Sequence, residues 1–384
     1  MQRDWNVMTD ADFRRFMSEF IADHLPDRLR HRLRRIPPWA ETRDWYMTLS
    51  HAGILAPNWP QEHGGMALSP GKLLIYAEEV ERAGVPRLYD MGLFMLGPTL
   101  IRRGTEAQIA RYLPGILSGE HRWAQGYSEP GSGSDLASLS TRAERDGDAF
   151  RINGQKMWVT FLDDATHIFF LARTSDGARK QQGITFFVSE LDRPGITRQL
   201  MRTLAGYEEF GEVRFDDAVM SQENVVGKVD HGWDVAKGLL DFERLNNGSP
   251  KQGLQALNRL ERFLARAGLD GDQWIAERVT ALRLDLEDQR STYSHFAAKV
   301  RAGQELGPEV SVLKIWSTET FQGISDLFLE IAGAAGIKVE DEFSSAAAGA
   351  LATYYNARPA TIYSGTNEIQ RNIIARRVLG LPAA

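Results

Sequence analysis

Residues 125–135 read QGYSEPGSGSD, and this glycine- and serine-rich stretch decides how the rest of the chain is interpreted. Glycines at positions 131 and 133 allow a backbone to approach a ligand closely, and the serines at 128, 132 and 134 add hydroxyl groups. The stretch does not match the phosphate-binding pattern GxxxxGK[ST], and no βαβ unit surrounds it. Taken alone, it is better explained as a surface turn.

Downstream of this stretch, the sequence breaks into short β-rich runs. The run 150–160, FRINGQKMWVT, ends in Trp158 and Thr160, an aromatic face and a hydroxyl where a planar ring could dock. The alternative is that Trp158 belongs to the core. The dipeptide Asn153-Gly154 predicts a two-residue hairpin turn. Further runs at 167–172, 183–188 and 212–215 predict a mostly antiparallel sheet or small barrel.

Helical patterns lie on both sides of the β-rich region. Before it, Thr9 is a candidate cap for an apolar stripe, and Ser69-Pro70 and Gly84 are typical of the two ends of a helix. After it, leucines at 254, 257, 260 and 264 share one helical face, and a last helix is expected from about Thr366 to Val378. This segregation predicts an α+β chain with an N-terminal helical domain (1–122), a middle antiparallel β domain or barrel (123–230) and a C-terminal helical domain (231–384).

Composition excludes several classes of function. The chain has no cysteine, so disulfides and thiolate chemistry are absent, and its eight histidines show no metal-ligand spacing. A formal net charge of −6 argues against nucleic acid as a partner. No apolar run approaches the ~20 residues that a membrane span requires. The acidic, amphipathic start MQRDWNVMTDADF does not resemble a secretory signal, which predicts a cytoplasmic protein.

Three separated motifs resemble the acyl-CoA dehydrogenase family. YSEPGSGSDLASL (127–139) resembles the family's flavin loop, and NGQKMWVT (153–160) resembles its strand beside the isoalloxazine ring. IYSGTNEIQRNIIARRVLG (362–380) resembles its closing signature. The resemblance extends over essentially the whole chain. It implies FAD as the cofactor and a fold with an N-terminal helical domain, a middle β domain and a C-terminal four-helix bundle.

The same resemblance implies roles for individual residues. On the flavin and substrate side of the loop it places Tyr127, Ser128, Gly133 and Ser134, with Ser134 also facing the substrate. Trp158 and Thr160 would flank the flavin ring and its N5 edge. Thr366 and Glu368 would reach the dinucleotide part of FAD, and Arg371 would orient the final helix.

The position of the catalytic base departs from the commonest family pattern. Many members carry a Glu directly before Gly-Thr in the closing signature, but this chain has Ser364, and a neutral hydroxyl is a poor base. In the isovaleryl-type and long-chain-type branches the base precedes an Arg on a bundle helix. The sequence Asp241-Phe242-Glu243-Arg244 matches that arrangement, which makes Glu243 the candidate base. The alternative is an ordinary surface pair of charges.

Further substrate contacts follow from the resemblance. Asp241 and Arg244 match positions that meet the CoA portion, and Arg suits a charged or polar ligand tail. The backbone N–H of Ser364, together with a flavin ribityl hydroxyl, would stabilise the developing enolate oxygen. Tyr363 would form part of the pocket wall.

Two segments that usually complete the FAD site of a neighbouring subunit are not intact. The region 267–290 lacks an Arg-x-Phe-Gly-like cluster, and the second loop reads Glu330-Ile-Ala-Gly333-Ala-Ala-Gly336. An acidic residue at 330 is unfavourable beside a pyrophosphate. This pattern resembles branches that pair with a different, homologous chain. A heterotetramer is therefore an alternative to the simpler homo-oligomer.

The implied reaction is α,β-dehydrogenation of an acyl-CoA thioester. Glu243 would take the α-proton, flavin N5 the β-hydride, and an electron-transfer flavoprotein or similar acceptor would reoxidise FAD. Two alternatives remain open. One is a non-catalytic partner subunit, which Glu243 argues against and the eroded dinucleotide contacts favour. The other is a related flavin oxidase or enoyl-CoA reductase.

Overall fold

The computed structural model describes residues 3–32, 37–237, 245, 248–337 and 349–382. The chain separates into two compact units. The first unit comprises Met1–Arg30 and Arg34–Asp241, and the second comprises His31–Leu33 and Phe242–Ala384. The predicted N-terminal helical domain and middle β domain both lie in the first unit.

The first unit begins with helices, as predicted. They are α1 (Asp10–His24), α2 (Trp39–His51), α3 (Pro70–Arg82), α4 (Gly97–Arg103), which follows a π-helical turn at Met91–Leu96, and α5 (Glu106–Leu117). The Thr9 side chain caps α1 by accepting a hydrogen bond from the Asp12 N–H, and Thr105 forms a capping box with Gln108 at the start of α5. Gly84 has a φ of 66° just after α3. The local end signals at Thr9, Ser69-Pro70 and Gly84 therefore predicted α1 and α3 correctly.

A seven-stranded sheet follows the helices. Its strands are β1 (Trp123–Gly126), β2 (Arg142–Asp146), β3 (Ala149–Thr160), β4 (His167–Arg173), β5 (Ile184–Glu190), β6 (Ile196–Met201) and β7 (Phe210–Ser221). They run in the order β1-β4-β2-β3-β7-β6, with β5 paired to β4. The pairings are mostly antiparallel, as predicted, whereas β1 and β2 each pair with β4 in parallel. Among the described strands, no pairing closes the sheet into a barrel.

The prediction of a hairpin turn at Asn153-Gly154 was wrong. The chain reverses instead at Gly147-Asp148, between the paired residues Asp146 and Ala149, and Gly147 has a φ of 61°. Asn153 and Gly154 lie inside the long strand β3. Opposite them, β7 contains an extra residue, and the Asn153 side chain bonds the Asp217 N–H at 2.8 Å.

Gly154 is required for close approach rather than for a turn. A Cβ added at Gly154 would lie 2.6 Å from Thr141 Oγ1 and 2.7 Å from Thr141 Cα. No side chain fits at that distance, so Thr141 can pack here only against a glycine.

The second unit is helical, as predicted. Its described helices are α6 (Lys251–Ala267), α7 (Gln273–Arg301), α8 (Ser311–Gly336), α9 (Ala350–Ala357) and α10 (Asn367–Arg377). Leu257, Leu260 and Leu264 are buried along one face of α6, which confirms the leucine pattern. Gly333, with φ 51° and ψ −138°, interrupts α8 near its end. Within the described ranges, no helix is both long enough and apolar enough to cross a membrane.

Candidate active site

The glycine-rich stretch forms a compact loop between β1 and β2. Its centre is a tight turn in which the N–H groups of Glu129 and Ser132 donate to each other's carbonyl oxygens, at 2.8 and 3.0 Å. Gly133 and Ser134 are exposed, and a Cβ added at Gly133 would meet nothing within 4 Å. This side of the loop is therefore open to a ligand.

The start of the loop is anchored in the core. Tyr127 is buried, and its ring packs edge-on against Phe169 and Phe186, with centroids 5.9 and 6.4 Å away. Ser128 is half-buried, and its carbonyl oxygen accepts a hydrogen bond from the Met157 N–H at 2.8 Å. Tyr127 thus packs the start of the loop against the core, while the Ser128 carbonyl oxygen joins the loop to β3.

Trp158 is presented to solvent by a β-bulge. Lys156 pairs with Val213 and Val159 with Gly211, so β3 has one extra residue in this interval. Trp158 adopts a φ of 59° and is 61% exposed. A positive φ at an aromatic residue is strained, and an exposed indole forgoes hydrophobic stabilisation. Both costs are explained if the indole face packs against a bound planar group.

Thr160 is half-buried at the end of β3, and the segment after it is held by carboxylates. The Tyr89 hydroxyl donates to Asp163 Oδ1 and Asp164 Oδ2, both at 3.1 Å. Asp164 also accepts from the N–H of Trp39 at the start of α2, at 2.8 Å. Sequence reasoning missed this contact because Tyr89 and Asp164 are distant in the chain.

A buried ion pair joins the loop to β3. Lys156 Nζ lies 2.7 Å from Glu129 Oε1, and the two side chains are 0% and 3% exposed. Burial alone would raise the pKa of the Glu129 carboxyl, but Lys156, Thr141 and Ser140 lower it to about 2. Burial lowers the pKa of Lys156 to about 8 although Glu129 opposes that shift. Both groups are therefore charged at neutral pH.

The alternation of residues along β3 is a signal in the sequence for this pair. Lys156 follows the buried residues Phe150 and Ile152 at alternating positions along β3, so it falls on the inward side of the strand. A lysine at an inward position requires a buried acceptor.

In the second unit, the closing signature forms a turn before α10. Ser364 and Gly365 have φ values of 55° and 82°, and Ser364 is exposed. The Tyr363 hydroxyl is hydrogen-bonded to the Gln252 side chain of α6, at 3.1 Å to its nitrogen. Thr366 caps α10, its Oγ1 accepting from the Ile369 N–H at 3.2 Å. The turn thereby presents backbone groups and the Ser364 side chain to solvent.

Polar side chains attach the start of α10 to α8. Buried Asn367 accepts a hydrogen bond from Lys314 Nζ at 3.0 Å and donates to Glu319 at 3.1 Å. Arg371, expected to orient this helix, also pairs with Glu319, at 2.5 Å. Burial lowers the pKa of Lys314 to about 8. Glu368 is exposed, and its own N–H and Thr366 lower its carboxyl pKa.

Glu330, the acidic residue of the altered loop near the end of α8, is paired with a cation of the same unit. Glu330 forms an ion pair with Arg278 at 2.8 Å, and the Arg278 guanidinium lies 4.6 Å from the centroid of the Trp274 ring. Glu330 is thus engaged by its own chain.

The predicted base and the predicted CoA contacts belong to one short stretch, 241–244. Asp241, Glu243 and Arg244 all lie outside the described residues. Within the described part of the chain, no group of three or more His, Asp or Glu side chains is arranged to hold a metal ion.

The described residues fit a flavin dinucleotide. In the first unit, the open loop at Gly133 and Ser134 and the exposed Trp158 suit a planar ring system. In the second unit, Thr366 caps the start of α10 and Glu368 is exposed beside it, at the positions expected to meet the dinucleotide part. Each unit accordingly carries part of the predicted site, the first residues 127–160 and the second residues 363–368.

Comparison with known proteins shows the same organisation along the chain. Three family models match: the N-terminal domain of acyl-CoA dehydrogenase at residues 7–120, its middle domain at 124–218 and its C-terminal domain at 230–379. The acyl-CoA dehydrogenase IpdE1 of Mycobacterium tuberculosis is 39% identical over 346 residues, covering 89% of this chain and 88% of the relative.

Solved structures agree with the sequence relatives. The structure described as Tcur3481-Tcur3483 steroid ACAD has a TM-score of 0.87 at 28% identity, covering 98% of both chains. The ChsE4-ChsE5 complex of Mycobacterium tuberculosis has a TM-score of 0.84 at 28% identity, again covering 98% of both chains. With all three of its domains matched in order, this chain belongs to the acyl-CoA dehydrogenase family of flavoprotein oxidoreductases.

Proposed function

We propose that this protein catalyses the FAD-dependent α,β-dehydrogenation of a bulky, polycyclic acyl-CoA, with Glu243 as the base. The observation that carries the proposal is the strained, exposed Trp158 beside the open glycine-rich loop, in a chain 39% identical to an acyl-CoA dehydrogenase. When bound, FAD supplies the acceptor for the hydride that leaves the β-carbon of the substrate.

The residues of the chain divide the remaining tasks. Glu243 removes the α-proton, and the apolar surroundings of an acyl pocket raise the pKa of such a carboxylate, which makes it a better acceptor. The Ser364 N–H donates to the thioester oxygen as negative charge develops there. Arg244 and Asp241 hold the CoA portion. Trp158 and Thr160 hold the planar ring, and Thr366 and Glu368 hold the dinucleotide part.

Support for a base outside the closing signature comes from the turn itself. Ser364 occupies the position where many family members carry a glutamate, so this exposed position offers a hydroxyl rather than a carboxylate. A serine hydroxyl lacks the basicity to take a thioester α-proton. The role that remains for residue 364 is that of its backbone N–H.

The substrate class and assembly rest on the structural neighbours. One neighbour is described as a steroid ACAD under two chain names, and another is described as a complex of two differently named chains. We extend both properties to this chain: a steroid-derived acyl group, and a heterotetramer in which a homologous subunit completes the FAD site. Glu330, engaged with Arg278, supports the second proposal because an acidic residue at this position is unfavourable beside a pyrophosphate. An electron-transfer flavoprotein is the proposed acceptor.

The test is anaerobic flavin reduction by acyl-CoA substrates. The protein, co-expressed with a homologous neighbouring chain, should be yellow and should bleach faster with a steroid-derived acyl-CoA than with a straight-chain one. Glu243→Gln should slow bleaching by at least about 10²-fold, the contribution of a general base. Glu305→Gln, an exposed glutamate of the same unit, is the matched control and should leave the rate unchanged.

Other outcomes would select the alternatives. Unchanged bleaching in Glu243→Gln would remove Glu243 from the mechanism. Protein that stays colourless and does not respond to acyl-CoA, even though its partner chain is active, would assign it the non-catalytic role. Rapid reoxidation by oxygen would indicate an oxidase.

A further inference from the structure

We propose that the buried ion pair between Glu129 and Lys156 is a positioning device that holds the two flavin-binding segments of the first unit in fixed relation. This proposal rests on the proposed function. Glu129 directly follows Ser128 in the loop, and Lys156 precedes Trp158 by two residues on β3. The pair therefore joins the two segments next to the residues that would touch the cofactor.

The Glu129 carboxylate is saturated with donors. Oε1 accepts from Lys156 Nζ at 2.7 Å and from the Thr141 N–H at 3.0 Å. Oε2 accepts from the Ser140 N–H at 2.6 Å and from the Ser140 hydroxyl at 2.7 Å. Four charge-assisted bonds converge on one side chain, so the carboxylate has little freedom to move.

Lys156 is held from the other side. Its Nζ also donates to the Tyr127 carbonyl oxygen at 3.4 Å, and the next residue, Met157, donates its N–H to Ser128. A Cβ added at Gly126 would lie 3.3 Å from Lys156 Cγ, so the aliphatic stem packs directly on β1. The loop is thus connected to β3 at three consecutive residues, 127, 128 and 129.

Stability alone does not account for this choice of residues. A well-packed apolar pair of similar volume is often as stable as a buried ion pair or more so, because removing two charges from water is costly. In some proteins a buried polar or charged pair instead fixes one register between the segments that it joins, and the directed hydrogen bonds of Glu129 and Lys156 suit that role. At this place the register determines where Trp158 and Ser134 stand relative to one another.

The same unit contains a matched control. Lys72 on α3 is also buried, at 4% exposure, and its Nζ binds Asp10 Oδ1 at 2.7 Å and the Met8 carbonyl oxygen at 2.8 Å. Lys72 joins helical segments and touches neither predicted flavin-binding segment. Removing its charge should affect folding stability without affecting the loop.

The experiment compares Lys156→Met with Lys72→Met by three measurements. These are FAD affinity from flavin fluorescence, the flavin absorption spectrum, and hydrogen–deuterium exchange of residues 128–136 in flavin-free protein. Lys156→Met should raise the Kd for FAD by at least about 10-fold, shift the flavin spectrum and increase exchange in 128–136. Lys72→Met should lower the melting temperature but change none of the three.

Equal effects of the two variants on FAD affinity at equal loss of stability would overturn the proposal. If Lys156→Met does not fold, Ser140→Ala removes one donor to Glu129 and should produce the same changes at smaller amplitude. Failure of the wild type to bind FAD, alone or with a partner chain, would defeat the proposed function. In that case exchange at 128–136 still tests the positioning role, because unchanged exchange in Lys156→Met contradicts it.

Discussion

The two segments predicted to meet the cofactor each contact a buried lysine, but the lysines have different partners. In the first unit, Lys156 meets the carboxylate of Glu129 at 2.7 Å. In the second, Lys314 meets the neutral amide oxygen of Asn367 at 3.0 Å, and Glu319 and Glu368 favour its charge only through longer-range interaction. Burial lowers both lysine pKa values to about 8. Two lysines buried to a similar degree can therefore be held either by a buried carboxylate or by a neutral amide oxygen.

The largest effect should come from opening the ion pair. Glu129→Gln leaves Lys156 as a buried cation without its counter-charge, and breaking such a pair costs about 3–5 kcal/mol. Urea unfolding measures this loss. Glu79→Gln, at another buried glutamate of the first unit that pairs with Arg14, is the control. It should also lower stability but leave exchange at 128–136 unchanged, and faster exchange there would contradict a local role for Glu129.

Acid should distinguish the two segments, because only one of them contains a titrating carboxylate among its buried contacts. Glu129 has a pKa of about 2 in the folded state against 4.5 ordinarily. Its contribution, on the order of 3 kcal/mol, is therefore present above pH 4.5 and lost as the pH falls toward 2. Unfolding free energies of wild type and Glu129→Gln should differ by a constant amount above that pH and converge below it. A constant difference down to about pH 3.5 would refute the low pKa.

Removing the other lysine should have a smaller effect. In Lys314→Met, the Thr318 hydroxyl, 3.2 Å from the Asn367 oxygen, can replace the lost donor, and the penalty for a buried cation disappears. A loss of about 1 kcal/mol is expected, the net value of one hydrogen bond. Urea unfolding of Lys314→Met measures this loss, and Lys299→Met, at a more exposed lysine of the same unit, is the control. A loss as large as that of Glu129→Gln would erase the distinction between the two sites.

The smallest effect should come from relieving backbone strain, which both segments share. Trp158 and Ser364 have φ values of 59° and 55°. Replacing either with glycine removes the strain but increases the freedom of the unfolded chain, so stability should change by less than about 1 kcal/mol. FAD affinity should nevertheless fall in Trp158→Gly. Unchanged affinity would show that the exposed indole has no part in binding.

Local signals in the sequence were sufficient for the order of the fold. Caps such as Thr9 and Thr105 and the leucine face of α6 act within one helix, so short-range chemistry determines them. The dipeptide Asn153-Gly154 misled because glycine there permits the approach of Thr141, a contact between strands. A local pattern cannot separate this use of glycine from a turn.

The candidate site could be predicted from the sequence only in part, for the same reason. Exposed positions such as Ser134 and Ser364 belong to motifs that are contiguous in sequence. The supporting pairs are not: Glu129 and Lys156 are separated by 27 residues, and Lys314 and Asn367 by 53. Only the folded chain brings such partners together. The alternation of buried and exposed positions along β3 marks Lys156 as inward-facing, but it does not identify its partner.

The tight contact at Gly154 links a solvent-facing position to the cofactor loop. Thr141, against which Gly154 packs, is the residue whose N–H donates to Glu129. An alanine at 154 would displace Thr141 and with it one of the anchors of the loop. Gly154→Ala, although it adds only one methyl group at an exposed position, would therefore disturb the loop that is proposed to hold the flavin.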